Sequence, residues 1–89
     1  TSLEYLRGLG QLKDLSLSYA QVTDAGLENL TGLKNLVWLD LKGTQITDHG
    51  LKHFRNCTQL QFVNLRKTQV TDQGVKTFQQ ALPNCKITR

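Results

Sequence analysis

The apolar residues of this chain recur with a period of 24 residues. The aligned positions are Leu12, Leu36 and Leu60; Leu15, Leu39 and Val63; Leu17, Leu41 and Leu65; Val22, Ile46 and Val70; and Leu27, Leu51 and Val75. The motif Thr-Asp-x-Gly follows the same register at residues 23–26, 47–50 and 71–74. A common period of this length predicts consecutive copies of one supersecondary unit.

Each copy is predicted to contain a strand, a turn and a short helix. Leu15 and Leu17 alternate with period two, so both side chains point to one side of a short strand. Thr23 is a favourable N-cap, and Asp24 then lies in the first helical turn, where the helix dipole favours a carboxylate. Apolar residues follow at every third position, at Leu27, Leu30 and Leu33. This spacing predicts one apolar face on a short α- or 3₁₀-helix.

A single copy cannot bury its own leucines. Stacked copies can, because each apolar position then meets its equivalent in the next copy along a shared core. Strands stacked with one sense form a parallel sheet on the inner, concave side, and the helices form the outer, convex side. The predicted fold is therefore an α/β solenoid.

The strand half of each copy resembles the leucine-rich repeat. Residues 12–17 and 36–41 both read Leu-x-x-Leu-x-Leu, which matches the first half of that repeat, and residues 60–65 carry a conservative variant. The half that follows is similar to a subclass seen in bacterial repeat proteins and F-box-associated repeats. The resemblance implies a right-handed solenoid. Many family members place a turn-bonding asparagine where this chain has Ala20, Thr44 and Thr68; threonine can make a weaker version of that bond, and alanine cannot.

We expect one domain with a partial repeat at 1–11, repeats at 12–35, 36–59 and 60–84, and a terminal half-strand at 85–89. Residues 2–12 align with residues 26–36, so the chain begins inside a unit. This alignment favours the C-terminal part of a longer protein. The alternative is that residues 1–12 themselves cap the array. The third helix gains one residue, and Pro83 interrupts it.

Composition and charge narrow the function classes. The 89 residues (10.0 kDa) are 38% hydrophobic and 20% charged, which is too apolar for a disordered chain. No segment has the length of a membrane span or the form of a signal peptide. The net charge of +4 raises the question of nucleic-acid binding. The basic residues are scattered, however, and Arg66-Lys67 is the one adjacent pair, which argues against that function.

The residues that could carry chemistry have simpler structural interpretations. Cys57 aligns with buried Leu33 and is read as a small core residue, and a disulfide between Cys57 and Cys85 is disfavoured because they hold different positions in their units. His49 and His53 share a helical face but lack a third ligand, so no metal site is predicted. The aligned aspartates of the motif could suggest a calcium ladder, but helix capping explains them more simply. We predict no cofactor, no small-molecule ligand and no enzyme.

The solvent side of the strands is more informative, because equivalent positions form ladders across the copies. One ladder joins an aromatic pair, and polar or basic residues flank it. The predicted binding residues are Trp38, Phe62, Asp40, Asn64, Lys42, Arg66, Asp14 and Tyr19. Aromatic residues beside arginine are typical of protein–protein hot spots. The alternative is that the rings only pack against each other and the chain ends.

Three hypotheses for function follow. The first is a binding module that holds a protein or peptide on the concave sheet. The second is a structural array that ends a larger protein whose functional domain lies upstream. The third is weak polyanion binding through Lys42, Arg66 and Lys67, which a steep salt dependence would support.

Overall fold

The computed structural model describes residue 3 and residues 6–89. Four three-residue strands alternate with helices. The strands are β1 (Asp14–Ser16), β2 (Trp38–Asp40), β3 (Phe62–Asn64) and β4 (Lys86–Thr88). The helices are a first 3₁₀ helix (Gly26–Leu30), a second 3₁₀ helix (Gly50–Phe54) and the α-helix α1 (Asp72–Ala81).

The strands form one parallel sheet in the order β1-β2-β3-β4. Leu15 pairs with Leu39, Leu39 with Val63, and Val63 with Ile87, so the register follows the 24-residue period of the sequence. Neighbouring strands in sequence are neighbours in the sheet, as a stack of identical units requires. The predicted α/β solenoid with a parallel sheet is confirmed.

The core is a continuous apolar column between the sheet and the helices. Leu17, Leu41 and Leu65, which were predicted to face inward, are at most 8% exposed. The helix positions Leu27 and Leu51 are equally well buried. Each unit therefore covers the leucines of its neighbour, and no unit has a core of its own.

Helix type changes between the second and third units. Residues at every third position suit a 3₁₀ helix, because side chains three apart eclipse one another there. The third unit carries one more residue between its buried positions, Phe78 and Leu82, and a spacing of four suits the 3.6-residue period of an α-helix. Thr71 caps α1 by accepting from the Gly74 amide, at 3.1 Å.

The predicted helix cap at Thr23 is wrong, and Thr47, its equivalent in the second unit, does not cap its helix either. The first 3₁₀ helix begins at Gly26 and the second at Gly50, and neither has a side-chain cap hydrogen bond. The helices start too late for a threonine three residues before their first glycine to bond their first free amides. Thr47 donates its hydroxyl to another unit instead.

The threonines in the turns make the bond that the sequence suggested. The hydroxyls of Thr44 and Thr68 donate to the carbonyls of Leu41 and Leu65, each at 2.7 Å. Ala20 occupies the same place in the first unit, and its turn is held by the backbone bond from its amide to the Leu17 carbonyl.

At the first end of the array, Leu3 is buried and Leu9 is 46% exposed. The suggested cap at residues 1–12 lies partly outside the described residues. At the other end, β4 lies within the predicted half-strand at 85–89. None of the helices in the described part of the chain is both long enough and apolar enough to cross a membrane.

Candidate functional site

The open face of the sheet, which points away from the helices, carries one ladder of side chains across all four strands. Strand register places Asp14 beside Trp38, Trp38 beside Phe62, and Phe62 beside Lys86. Adjacent strands are about 4.8 Å apart, so the two rings are direct neighbours. Trp38 is 39% exposed and Phe62 45%. The ladder thus presents an aromatic centre between an acidic and a basic end.

Lys86 is a member of this ladder that the sequence prediction missed. The sequence does indicate this position, because Lys86 lies 24 residues after Phe62. The additional helical residue of the third unit obscures that spacing. The segment between Leu82 and β4 is one residue shorter than the segment between Cys57 and β3. This shorter segment compensates for the additional helical residue, so β4 pairs with β3 in the regular register.

The next ladder holds the predicted residues Asp40 and Asn64, and both serve the turns that follow their strands. An Asp40 carboxylate oxygen accepts from the Lys42 amide, and the Asn64 carbonyl oxygen accepts from the Arg66 amide, each at 3.0 Å. Both side chains are half-buried. They shape the rim of the open face and keep part of their polar surface available to solvent.

Tyr19 lies at the rim of the open face in a left-handed backbone conformation. Its φ is 62°, and the equivalent residues Gly43 and Lys67 have φ of 74° and 59°. The Tyr19 ring lies where a Cβ on Gly43 would stand, so glycine makes room for the ring at a position whose positive φ it also favours. The Lys42 Nζ sits 5.7 Å from the centre of the same ring, within cation–π range.

The structure therefore brings all eight predicted residues to one face and its rim. Five of them are exposed: Asp14, Tyr19, Trp38, Phe62 and Arg66. Asp40, Asn64 and Lys42 are partly engaged within the protein. This surface exposes the two rings, with charged groups at both ends of their ladder.

The aspartates of the Thr-Asp-x-Gly motif connect neighbouring units. The Asp24 carboxylate accepts from the Thr47 amide at 2.8 Å and from the Thr47 hydroxyl at 2.5 Å. Asp48 repeats this with the Thr71 amide at 2.8 Å and hydroxyl at 2.6 Å. The hydroxyl bond, followed by the amide bond, holds the pKa of Asp48 below its ordinary value of 3.8. The motif is an inter-unit clamp, and the helix-capping interpretation of these two aspartates is wrong.

The glycine of the motif makes room for the clamp. A Cβ on Gly50 would collide with the Asp24 carboxylate, and one on Gly74 would collide with that of Asp48. The backbone of each unit can therefore approach the aspartate of the unit before it. The offset between aspartate and threonine is 23 residues, so no local pattern reveals this contact.

Both cysteines are buried and free. The Cys57 thiol donates weakly to the Leu33 carbonyl at 3.5 Å. Burial raises the pKa of Cys57 and of Cys85, which makes them poor nucleophiles. Within the described ranges, no three His, Cys, Asp or Glu side chains gather into a group that could hold a metal ion.

Comparison with known proteins agrees with this architecture. A family model described as "Leucine Rich repeat" matches residues 12–30, 32–54 and 56–78. A leucine-rich repeat protein of Leptospira interrogans superposes with a TM-score of 0.63 at 20% identity, over 100% of this chain and 28% of its own. An internalin of Listeria monocytogenes gives 0.64 at 18% identity, over 99% and 31%. Comparison with curated proteins returned no match. The chain spans less than a third of the length of either structural neighbour.

Proposed function

Since the chain belongs to the leucine-rich repeat family, whose repeats generally mediate protein–protein interaction, we propose that it binds a protein or peptide on the open face of its sheet. The family is typically non-enzymatic, and we extend this to the present chain. The exposure of Trp38 beside Phe62 is the observation that carries the proposal.

The size of the aromatic surface supports a useful affinity. Aromatic side chains of this kind bury up to about 250 Å², so exposures of 39% and 45% leave roughly 100 Å² of each ring in water. Covering both rings would contribute at most ~5 kcal/mol at about 25 cal/mol per Å². Association itself costs about 4 kcal/mol or more, so the rings offset much of that cost but do not supply the affinity alone. They act as anchors, and further contacts that include Asp14 and Lys86 add to binding and orient the partner.

The test uses peptides selected from a random display library on the folded domain. Each selected peptide is titrated by calorimetry into the native domain and into the double variant Trp38→Ala/Phe62→Ala. We expect the double variant to lose at least about 2 kcal/mol of binding free energy, the level of a hot spot. Trp38 is the single tryptophan of the chain, so its fluorescence should shift to shorter wavelength when a peptide covers it.

Leu9→Ala is the matched control, because Leu9 is as exposed as the rings but does not lie on the sheet. It should bind like the native domain. Unchanged affinity of the ring variant, with native circular dichroism, would exclude the open face. Retention on heparin that weakens steeply with salt and needs Arg66 would instead favour polyanion binding.

A structural role within a longer protein is the second candidate. The coverage of less than a third of both structural neighbours favours it, because arrays of this family can be much longer. We propose that this chain is one part of such an array, with the repeat boundaries predicted from its sequence. A longer natural chain whose partner binding survives Trp38→Ala/Phe62→Ala would support this role.

A further inference from the structure

A groove on the helical side of the array, opposite the sheet, lies between the second 3₁₀ helix and α1. Its volume is about 230 Å³. Leu51 and Phe78 line it from the two helices, and both are core residues whose outer edges form its apolar floor. Gln73 and Thr77 line the α1 wall. The groove belongs to neither ladder of the sheet.

The other wall carries a row of basic side chains. His49, Lys52 and Arg55 all line the groove and are all exposed. Residues three apart eclipse in a 3₁₀ helix, so these side chains stand one above another along about 12 Å. His49 and Arg55 flank the helix with φ of −64° and −58° and ψ near −30°, so the row continues unbroken through both ends.

This row is particular to the second unit. The equivalent positions of the first unit are Ala25, Glu28 and Thr31. Among the described residues, the one ion pair joins Arg89 to Asp72, so none of the three bases forms a salt bridge with a described carboxylate. The aliphatic stems of Lys52 and Arg55 extend the apolar floor while their charged ends stay in water.

One acidic group, Asp48, also lines the groove. Both of its carboxylate oxygens already accept hydrogen bonds from Thr71, so they are engaged within the chain. Lys52 and Arg55 together outweigh this one carboxylate, so the balance of the groove is positive. A partner with negative charge is therefore favoured.

We propose that this groove binds an acidic peptide segment, which inserts one large apolar side chain over Leu51 and Phe78 and pairs its carboxylates with Lys52 and Arg55. The volume supports a side chain over a free small molecule, since small-molecule sites usually enclose about 300–1,000 Å³. The row of bases sets the direction in which the peptide lies. This surface acts independently of the open face of the sheet.

The probe is the capped peptide Glu-Glu-Phe-Glu-Glu, titrated into the ¹⁵N-labelled domain and followed by amide chemical shifts. We expect shifts at Gly74, Thr77 and the second 3₁₀ helix, and affinity that weakens as salt is added. Replacing the phenylalanine of the peptide by alanine tests the apolar pocket. Replacing its glutamates by glutamine tests the charge. Both changes should weaken binding.

The variant Lys52→Glu/Arg55→Glu should weaken binding of the probe by at least about tenfold, because two attractions become repulsions. Lys13→Glu/Lys34→Glu makes the same charge change away from the groove and should retain most of the affinity. Trp38→Ala/Phe62→Ala should bind the probe normally, which separates this result from failure of the open face. Shifts confined to the sheet, equal shifts with inorganic phosphate, or insensitivity to Lys52→Glu/Arg55→Glu would overturn the proposal.

Discussion

The clamp between Asp48 and Thr71 allows a quantitative test of how the units hold together. Asp48→Ala removes both acceptors for the Thr71 amide and hydroxyl. Each hydrogen bond contributes about 0.5–1.5 kcal/mol net, and the half-buried site places both toward the lower end, because water can replace the lost partner. We therefore expect Asp48→Ala to lower the free energy of unfolding by about 1–2 kcal/mol. In a domain of this size that is roughly 5–10 °C in Tm.

The pairwise part of this loss can be isolated. Thr71→Val removes the hydroxyl bond to Asp48 and also the cap on the Gly74 amide, so it should cost about 1–2 kcal/mol. The double variant Asp48→Ala/Thr71→Val should cost less than the sum of the single variants, by roughly 0.5–1 kcal/mol. Urea denaturation followed by circular dichroism at constant pH measures all three values.

Asp72→Ala is the matched control. Asp72 holds the same motif position in the third unit, but its carboxylate is exposed and pairs with Arg89 instead of a threonine. An exposed pair contributes little, and a carboxylate in the first turn of α1 adds a few tenths of a kcal/mol, so the control should cost under about 1 kcal/mol. If Asp48→Ala costs no more than Asp72→Ala, or if the effects of Asp48→Ala and Thr71→Val simply add, the clamp does not stabilise the array.

Three further results are expected. Because the pKa of Asp48 is lowered in the folded state, its contribution to the free energy of unfolding is complete above pH 3.8 and declines as the pH falls through the lower, folded-state pKa. The difference in stability between the native domain and Asp48→Asn should therefore shrink in acid. A difference that grows in acid would contradict the assignment. Gly43→Ala should destabilise by at least about 1 kcal/mol in thermal melts, because φ is 74° and a ring covers the site, whereas Gly32→Ala, where a Cβ meets nothing within 4 Å, should not. Iodoacetamide at neutral pH should leave Cys57 and Cys85 unmodified in the folded domain and alkylate both in urea, because both thiols are buried. Mass spectrometry detects the labelling. Rapid labelling of the native state would show that the thiols are not buried.

The fold was predictable because its information is periodic. The repeat of 24 residues aligns Leu15, Leu39 and Val63, and the sheet pairs these residues directly. The exposure of Trp38 and Phe62 follows from the same alternation, since neighbours of an inward residue in a strand point the other way. The location of the aromatic pair is thus a consequence of register alone.

The features that sequence reasoning missed depend on distances between units. Asp24 reaches a threonine 23 residues away, and only the spacing of the stacked backbones shows that the two can meet. The groove exists because a 3₁₀ helix and an α-helix lie side by side, which one additional residue before Leu82 causes. Lys86 lies in the ladder because the segment before β4 is one residue shorter, and the sequence alignment of the third unit did not locate that difference.

The clamp has a consequence for how such an array changes length. Asp24 and Asp48 each reach forward to the next unit, where Thr47 and Thr71 receive them. Consider a second copy of residues 36–59 inserted after residue 59. Its threonine would meet the aspartate of the unit before it, and its aspartate would meet the threonine of the unit after it. Growth or loss in whole steps of 24 residues would preserve the aspartate–threonine partners at each of these junctions. Evolution and design can therefore adjust the extent of the sheet without re-optimising its interior.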